Sequence, residues 1–530
     1  MSARGSGLLA TTTSLVLCTI GAGILSFPYA ALQSGIAMLV PSTIGFSLLA
    51  AYMDLILAEF AGRLKHVLPS RTYVELVLRV LGPRHYYAAL AQVLVGMMGT
   101  LVGFTCVMAD LSIPVVTHLC SLADPSSSSA AICSVLSSRT SIIMLFSVCI
   151  ALPLAAVSRI HSLRVASAIA VLAVIAVVVV VVDRGAQPGS AAADLPVTPL
   201  DGAAGICLML PIVVYAVGNH VQCVTIFLEC EPSAQRAFHV PVLAAFAAIS
   251  ALYIVTGVFG VAAFGDAVLG DILLNFALGD SAANFAKVLM ALHVAVVVPV
   301  NTIPLRRTLS LALRPCADSV GCLSHDGHAS GAAGRTAIAI AAPPFASSSE
   351  SATEPLLSAV AGLSGFGVVD AAARGEHRLA AGQETKEEGM PRICGGCICS
   401  RSVAVQTAGL VIGAGLVAIA FPQVNVVFGL LGATLGVTCM WFYPALFLLV
   451  RAREVEALAA ADAPRSQEDA AATRPTPQYT PSSPFWLRAQ AACFLVLSAA
   501  AVVVGTSVYV WNTWVRAKKG FIGGSESASS

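Results

Sequence analysis

The sequence predicts an all-α integral membrane protein of eleven transmembrane helices, built as two five-helix halves in an inverted repeat with one helix added. Three observations predict it. Of 530 residues, 57% are hydrophobic and only 11% charged, whereas a soluble domain carries about a quarter charged residues. Eleven apolar runs are long enough to cross a bilayer, which takes about 20 residues as a helix. The first and the sixth of those runs are interrupted at matching places.

The runs lie at 9–33, 36–60, 86–116, 139–157, 165–183, 203–228, 240–264, 284–305, 403–421, 424–450 and 489–512, with 139–157 and 403–421 among the shortest. The first flows through a loop into the second, so it reads as a retained span and not as a cleaved leader. Residues 1–305 then hold helices one to eight, 403–450 helices nine and ten, and 487–530 the last helix with a short tail. Residues 306–402 are rich in Ala, Ser, Gly and Pro with mixed charge, as in Arg374-Gly375-Glu376-His377-Arg378. Such a segment buries too little apolar area to offset chain entropy, and a disordered cytosolic insert is expected. The stretch 451–486 reads as a cytosolic linker; its Thr476-Pro477, Thr480-Pro481 and Ser483-Pro484 pairs suit phosphorylation or simple turns.

Lysine and arginine in the loops set the orientation. A cytosolic N-terminus puts Arg63, Lys65, Arg71, Arg79, Arg84, Arg306 and Arg307 inside, and leaves few basic groups outside. Eleven spans then put the C-terminus outside or in a lumen, where Arg516, Lys518 and Lys519 run mildly against the rule. A plasma membrane and a vacuolar or lysosomal one fit equally.

A net charge of +1 with no basic stripe excludes nucleic acid as a partner. No Gly-x-x-x-x-Gly-Lys-Ser/Thr loop is present, so ATP does not drive the protein. No acid–base or metal constellation sits at a common depth, so no enzyme and no cofactor is expected. The bilayer is one partner, and a cytosolic protein docking on 306–402 is a second possibility.

The two interruptions carry the functional reading. Gly21-Ala22-Gly23 opens the stretch Gly21-Ala22-Gly23-Ile24-Leu25-Ser26-Phe27-Pro28-Tyr29-Ala30 in the middle of span one. Every backbone amide and carbonyl must be paired in hydrocarbon, so a break there is tolerated where it lines a protein cavity. The bared groups can receive an anion or a cation; close helix packing through small residues is the alternative. Span six is interrupted at Tyr215-Ala216-Val217-Gly218-Asn219-His220. Asn219 and His220 need partners there, either a cavity or a neighbouring helix. Paired breaks in two halves point to an inverted-repeat transporter. Among intramembrane ionisable groups, Glu59 reads as an interfacial pair with Arg63, and Asp54 as a coupling group or an interhelical hydrogen bond. Asp110 lies near the outer mouth. His293, with an ordinary pKa of about 6.5, suits proton coupling or a carbonyl partner.

Cysteine readings are secondary. Cys394-Gly395-Gly396-Cys397-Ile398-Cys399 has thiolate spacing for zinc, with Cys316, Cys322, His325 and His328 as further ligands, though juxtamembrane acylation suits it better. Cys120 and Cys133 share a loop and are placed for a disulfide.

The first-helix stretch, Gly21 to Ala30, resembles a motif of the amino acid/auxin permease family, and within it the sodium-coupled neutral amino acid transporter branch. Asn219-His220 resembles that family's Cys-His motif in helix six, with the first residue changed. Further similar stretches are Glu229-Cys230-Glu231-Pro232, Phe264-Gly265 with Asp271-Ile272-Leu273-Leu274-Asn275, Pro299 with Pro304-Leu305-Arg306, and Phe428-Gly429-Leu430-Leu431-Gly432-Ala433-Thr434; Asp110 falls where many members carry aspartate. The resemblance implies a LeuT-like fold and transport of amino acids, neutral ones first, by alternating access. It implies that Gly21, Ala22 and Gly23 present amides to the α-carboxylate. Carbonyls from Ala216 to Gly218 would accept from the amine, and Tyr215 and Asn219 would shape the side-chain pocket. It also implies a cation site between helices one and eight. There the chain departs, with Leu17, Ala295 and Val297 where oxygen-bearing side chains are expected. Carbonyls of Thr19 and Ile20 remain, and His220, His293 and Asp110 are the titratable candidates. Proton coupling, sodium coupling and exchange stay open, as does an amino acid sensor that signals through the insert.

Overall fold

Helix breakers decide where this chain bends. The computed structural model describes residues 6–64, 72–121, 133–156, 164–187, 195–199, 202–277, 279–323, 396–421, 423–461 and 483–527. Helix α1 (Leu8–Thr19) stops at Ile20, whose backbone is extended. A 3-10 stretch, Ala22–Ser26, follows Gly21 and leads into α2 (Phe27–Ser34). The two parts meet at 52°. Glycine costs about 1 kcal/mol against alanine inside a helix, and two of them flank this bend. Pro28 falls in the first turn of α2, where its missing N–H is no loss. Gly35 then turns the chain at φ 69° into α3 (Ile36–Leu64). A Cβ there would lie 2.5 Å from the Val197 carbonyl oxygen, so the turn admits glycine alone.

Thr72 caps α4 (Tyr73–Leu81) by accepting from the Glu75 amide at 3.2 Å. After it come α5 (Pro83–Ser121), α6 (Arg139–Leu145, carried on by a π stretch, Phe146–Ala151, and a last α turn, Leu152–Ala155) and α7 (Arg164–Gly185). Span six is α8 (Ala203–Ala216) and α9 (His220–Leu228), separated by Val217 to Asn219. A short α10 (Pro232–Arg236) precedes α11 (His239–Phe264), and α12 (Ser281–Leu323) follows a loop with two 3-10 turns, Gly265–Ala267 and Ile272–Asn275. The chain ends in α13 (Gly396–Ala420), α14 (Val424–Leu431) with π stretches to Phe442, α15 (Tyr443–Ala461) and α16 (Pro484–Ser527).

Among the described residues, seven helices are long and apolar enough to cross a membrane, and the bent pair Leu8–Thr19 and Ala22–Ser34 makes an eighth span. Two shorter apolar helices, Arg139–Ala155 and Ala404–Ala420, fall on the runs 139–157 and 403–421 of the sequence. Cys120 and Cys133 are bridged. Glu59 pairs with Arg63 and, at 2.7 Å, with Arg451.

Helix α11 stands at the centre, packed against α1, α2, α3 and α7. Span six packs on the first span, with α8 against α2 and α9 against α1 and α3. Gly432 permits a close approach of the π segment to α8, since a Cβ there would meet the Pro211 carbonyl at 2.0 Å. The chain divides into one unit of Met1–Pro315 with Arg401–Ser530 and a second of Cys316–Ser400. The ends of the expected insert 306–402 are helical and not disordered, α12 running to Leu323 and α13 starting at Gly396, and those of the linker 451–486 belong to α15 and α16; residues 324–395, with Cys394, His325 and His328, and 462–482 lie outside the described residues. Among the described residues no cluster suits a metal ion.

Candidate functional site

The two breaks touch. A Cβ on Gly23 would stand 3.2 Å from that of Ala216, so only the absence of a side chain lets the first span lie this close to the sixth. Tyr253, buried in α11, reaches both: its hydroxyl lies 3.2 Å from the Thr19 carbonyl oxygen and 2.9 Å from that of Ala216. Its ring stacks on Phe27 at 4.3 Å, which fixes the hydroxyl in place. His293, on α12, sets its Nε2 3.0 Å from the Ile20 carbonyl.

A cavity of about 120 Å³ opens beside these contacts. Gly21, Ala22 and Gly23 line it, as do Thr19, Tyr215, Ala216, Gly218 and His220. Gln92, Thr100 and Phe104 of α5 face them. No Asp, Glu, Lys or Arg is among the lining residues. Tyr215 is held by its hydroxyl, 3.2 Å from Thr100 Oγ1, and by stacking on Phe428 at 4.6 Å. The amides of Ala22 and Gly23 open a helical turn and have no carbonyl within it to donate to. The break in span six is more occupied than the sequence suggests. The Ala216 carbonyl is taken by Tyr253, and that of Tyr215 by the Gly218 amide at 3.1 Å.

Four other predicted residues lie outside the lining: Ile20, Asn219, His293 and Asp110. Asn219 is 1% exposed, and neither its amide nitrogen nor its oxygen has a partner. Asp110 pairs with Arg139 at the start of α6. Two contacts escape sequence reasoning. One is Tyr253, an ordinary tyrosine in an apolar run. The other is His220 Nδ1 at 2.5 Å from Asp54 Oδ1, a pair joining spans two and six. Asp54 was visible as a buried charge; its partner was not. Gln222 Nε2 donates to Asn301 Oδ1 at 3.1 Å and ties α9 to α12.

The loop between α11 and α12 adds titratable groups outside the spans. Ser26, at the exit of the first break, donates to the Gly270 carbonyl at 2.8 Å. Its neighbour Asp271 is 2% exposed. Burial pushes the Asp271 carboxyl up to about 7, the Asp110 charge adds to this, and the Leu273 amide and Lys287 oppose it. Burial also raises Asp280, but the Ala283 amide and Arg184 outweigh it and hold its carboxyl below the usual range.

An all-helical chain with seven or eight apolar spans, one of them broken beside an internal cavity, is a multi-pass membrane protein. The chain belongs to the family described as transmembrane amino acid transporter protein, whose model matches residues 4–456. This is the amino acid/auxin permease family that the first-helix motif resembles, a family of transporters and not of enzymes. A curated relative, amino acid transporter AVT6A of Arabidopsis thaliana, is 28% identical over 207 residues, which are 35% of this chain and 44% of the relative. The match thus spans less than half the length of that relative. Two solved structures are similar over 96% of this chain. MhsT in complex with L-phenylalanine is matched over its whole length at 13% identity and a TM-score of 0.46. A substrate-bound, outward-open sodium-coupled sialic acid symporter is matched over 90% of its length at 11% identity and 0.45.

Proposed function

We propose that this protein is a secondary transporter of neutral amino acids, working by alternating access around the paired breaks. The observation that carries this reading is the contact of Gly23 with Ala216 at the edge of one cavity, which brings both breaks to the same place. Ala22 and Gly23 offer amides to the substrate carboxylate. Carbonyls at Val217 and Gly218 accept from its amine, those of Tyr215 and Ala216 being taken. Tyr215, held by Thr100 and Phe428, shapes the pocket for the side chain, and the uncharged lining suits a neutral one. In this reading α7 and the shorter helices Arg139–Ala155 and Ala404–Ala420 also span, which makes eleven spans in a LeuT-like 5+5 arrangement plus one, with the N-terminus in the cytosol.

Proton coupling is the form we favour over sodium. Sodium needs several oxygen ligands, and the two carbonyls left for it, Thr19 and Ile20, already face the Tyr253 hydroxyl and the His293 imidazole. Uptake of a panel of labelled amino acids into proteoliposomes tests the whole reading. Accumulation of neutral amino acids is expected with an inward acid gradient, whether or not sodium is present. Accumulation that follows sodium alone overturns the coupling; no uptake of any amino acid overturns the function.

A further inference from the structure

We propose that His220 and Asp54 together form the binding site of the coupling proton, with His220 Nε2 as the atom that receives it. The proposal rests on the proton-coupled reading above and names the site within it. His220 lines the cavity, and its Nδ1 lies 2.5 Å from Asp54 Oδ1. The two side chains are 2% and 0% exposed. A carboxylate at that distance fixes the tautomer: Nδ1 carries hydrogen and donates to Asp54. Nε2 is then a bare lone pair, and it has no partner; neither has Asp54 Oδ2. An unpartnered acceptor buried beside a cavity is costly unless something arrives to fill it.

Charge supplies the direction. With neutral imidazole the pair carries one negative charge in an apolar setting, with no lysine or arginine ion-paired to it among the described residues. A buried, uncompensated charge costs several kcal/mol, roughly. One proton taken from cavity water onto Nε2 makes an imidazolium beside a carboxylate and removes that net charge. No electrons move, and no bond other than the N–H forms. The same proton leaves by the reverse step when the cavity faces water of lower proton activity. Three of the other titratable groups around the pair are thiols, ordinarily uncharged at neutral pH; the rest are a tyrosine and a glutamate. Cys223 lies on the same helix, with its sulfur 3.8 Å from the Asp54 carbonyl. Cys18 of α1 and Cys439 of the π segment line the cavity. Tyr73 of α4 donates to the Cys439 carbonyl, and Glu229 ends α9.

His293 is the rival and fits less well. Its Nε2 faces the Ile20 carbonyl, an acceptor, so that nitrogen carries the hydrogen and is tied to the backbone of the first break. It also lies outside the cavity lining.

The test loads proteoliposomes with a pH-sensing dye and adds a transported neutral amino acid. The wild type is expected to admit protons with substrate; if it transports without them, proton coupling itself fails and this site with it. In His220→Gln and Asp54→Asn, whatever uptake survives is expected to be free of proton entry and indifferent to external pH. An unchanged ratio of protons to substrate in a folded His220→Gln overturns the assignment while leaving proton coupling intact. Should neither variant reach the membrane folded, isotope-labelled histidine in His293→Gln decides by nuclear magnetic resonance. A solvent-shielded ring that gains a proton as pH falls from about 8 to about 5 supports the site, and the absence of such a ring overturns it.

Discussion

The breaks in spans one and six use the same means, small residues in an apolar helix, and end in opposite conditions. In span one the bend is 52°, and the carbonyls it frees are met by Tyr253 and His293. In span six the halves continue as one apolar span, Ala203–Leu228, yet Asn219 and His220 are left with unpartnered atoms. The first span thus has its freed carbonyls met and its Ala22 and Gly23 amides open, while the sixth has the Tyr215 and Ala216 carbonyls met and side-chain atoms bare.

The change that breaks this contrast most completely is Gly23→Leu. The side chain would fill the 3.2 Å approach to Ala216 and the cavity edge, so uptake should vanish while surface labelling still finds the protein inserted. Normal uptake would falsify the shared site.

Asp271→Asn probes the loop to which Ser26 ties the first break. The wild-type carboxyl is raised to about 7, so the fold disfavours its charged form. Below about pH 4 it is neutral folded and unfolded, and there is no penalty. As pH rises toward 7 the unfolded chain releases its proton first and stability falls; above 7 the penalty is complete. Thermal unfolding should therefore show the variant gaining on the wild type between about pH 4 and about pH 7, by on the order of a few kcal/mol.

Two further substitutions set the halves against each other directly. Tyr253→Phe strips a donor from two buried carbonyls and should cost about 1–3 kcal/mol in unfolding free energy. Asn219→Leu removes two unpartnered polar atoms, so it should leave stability unchanged or raise it by about 1 kcal/mol. Equal losses in both would erase the distinction between paired carbonyls and unpartnered side-chain atoms.

The sharper break was the more legible. Gly21 and Gly23 flank a single residue, and Pro28 follows within a turn's reach; local propensity alone predicts a bend there. Span six has Gly218 alone at its break, and its interruption is correspondingly mild. The polar residues were legible as anomalies but not as pairs. Asp54 and His220 are 166 positions apart, and Tyr253 is 234 from Thr19. Such contacts come from how helices pack, which no local pattern encodes. Sodium illustrates the point: the missing side-chain oxygens at Leu17, Ala295 and Val297 were readable, but the occupation of the Thr19 and Ile20 carbonyls was not.

Tyr253 sits between two oxygens with a single hydrogen to give. At any instant it serves Thr19 fully or Ala216 fully, or divides itself weakly between them. A shift of a few tenths of an ångström in either span tips that choice, and the oxygen left behind must find water, a cargo amine or nothing. The phenol is thus a single group whose hydrogen bonding registers the position of both spans at once.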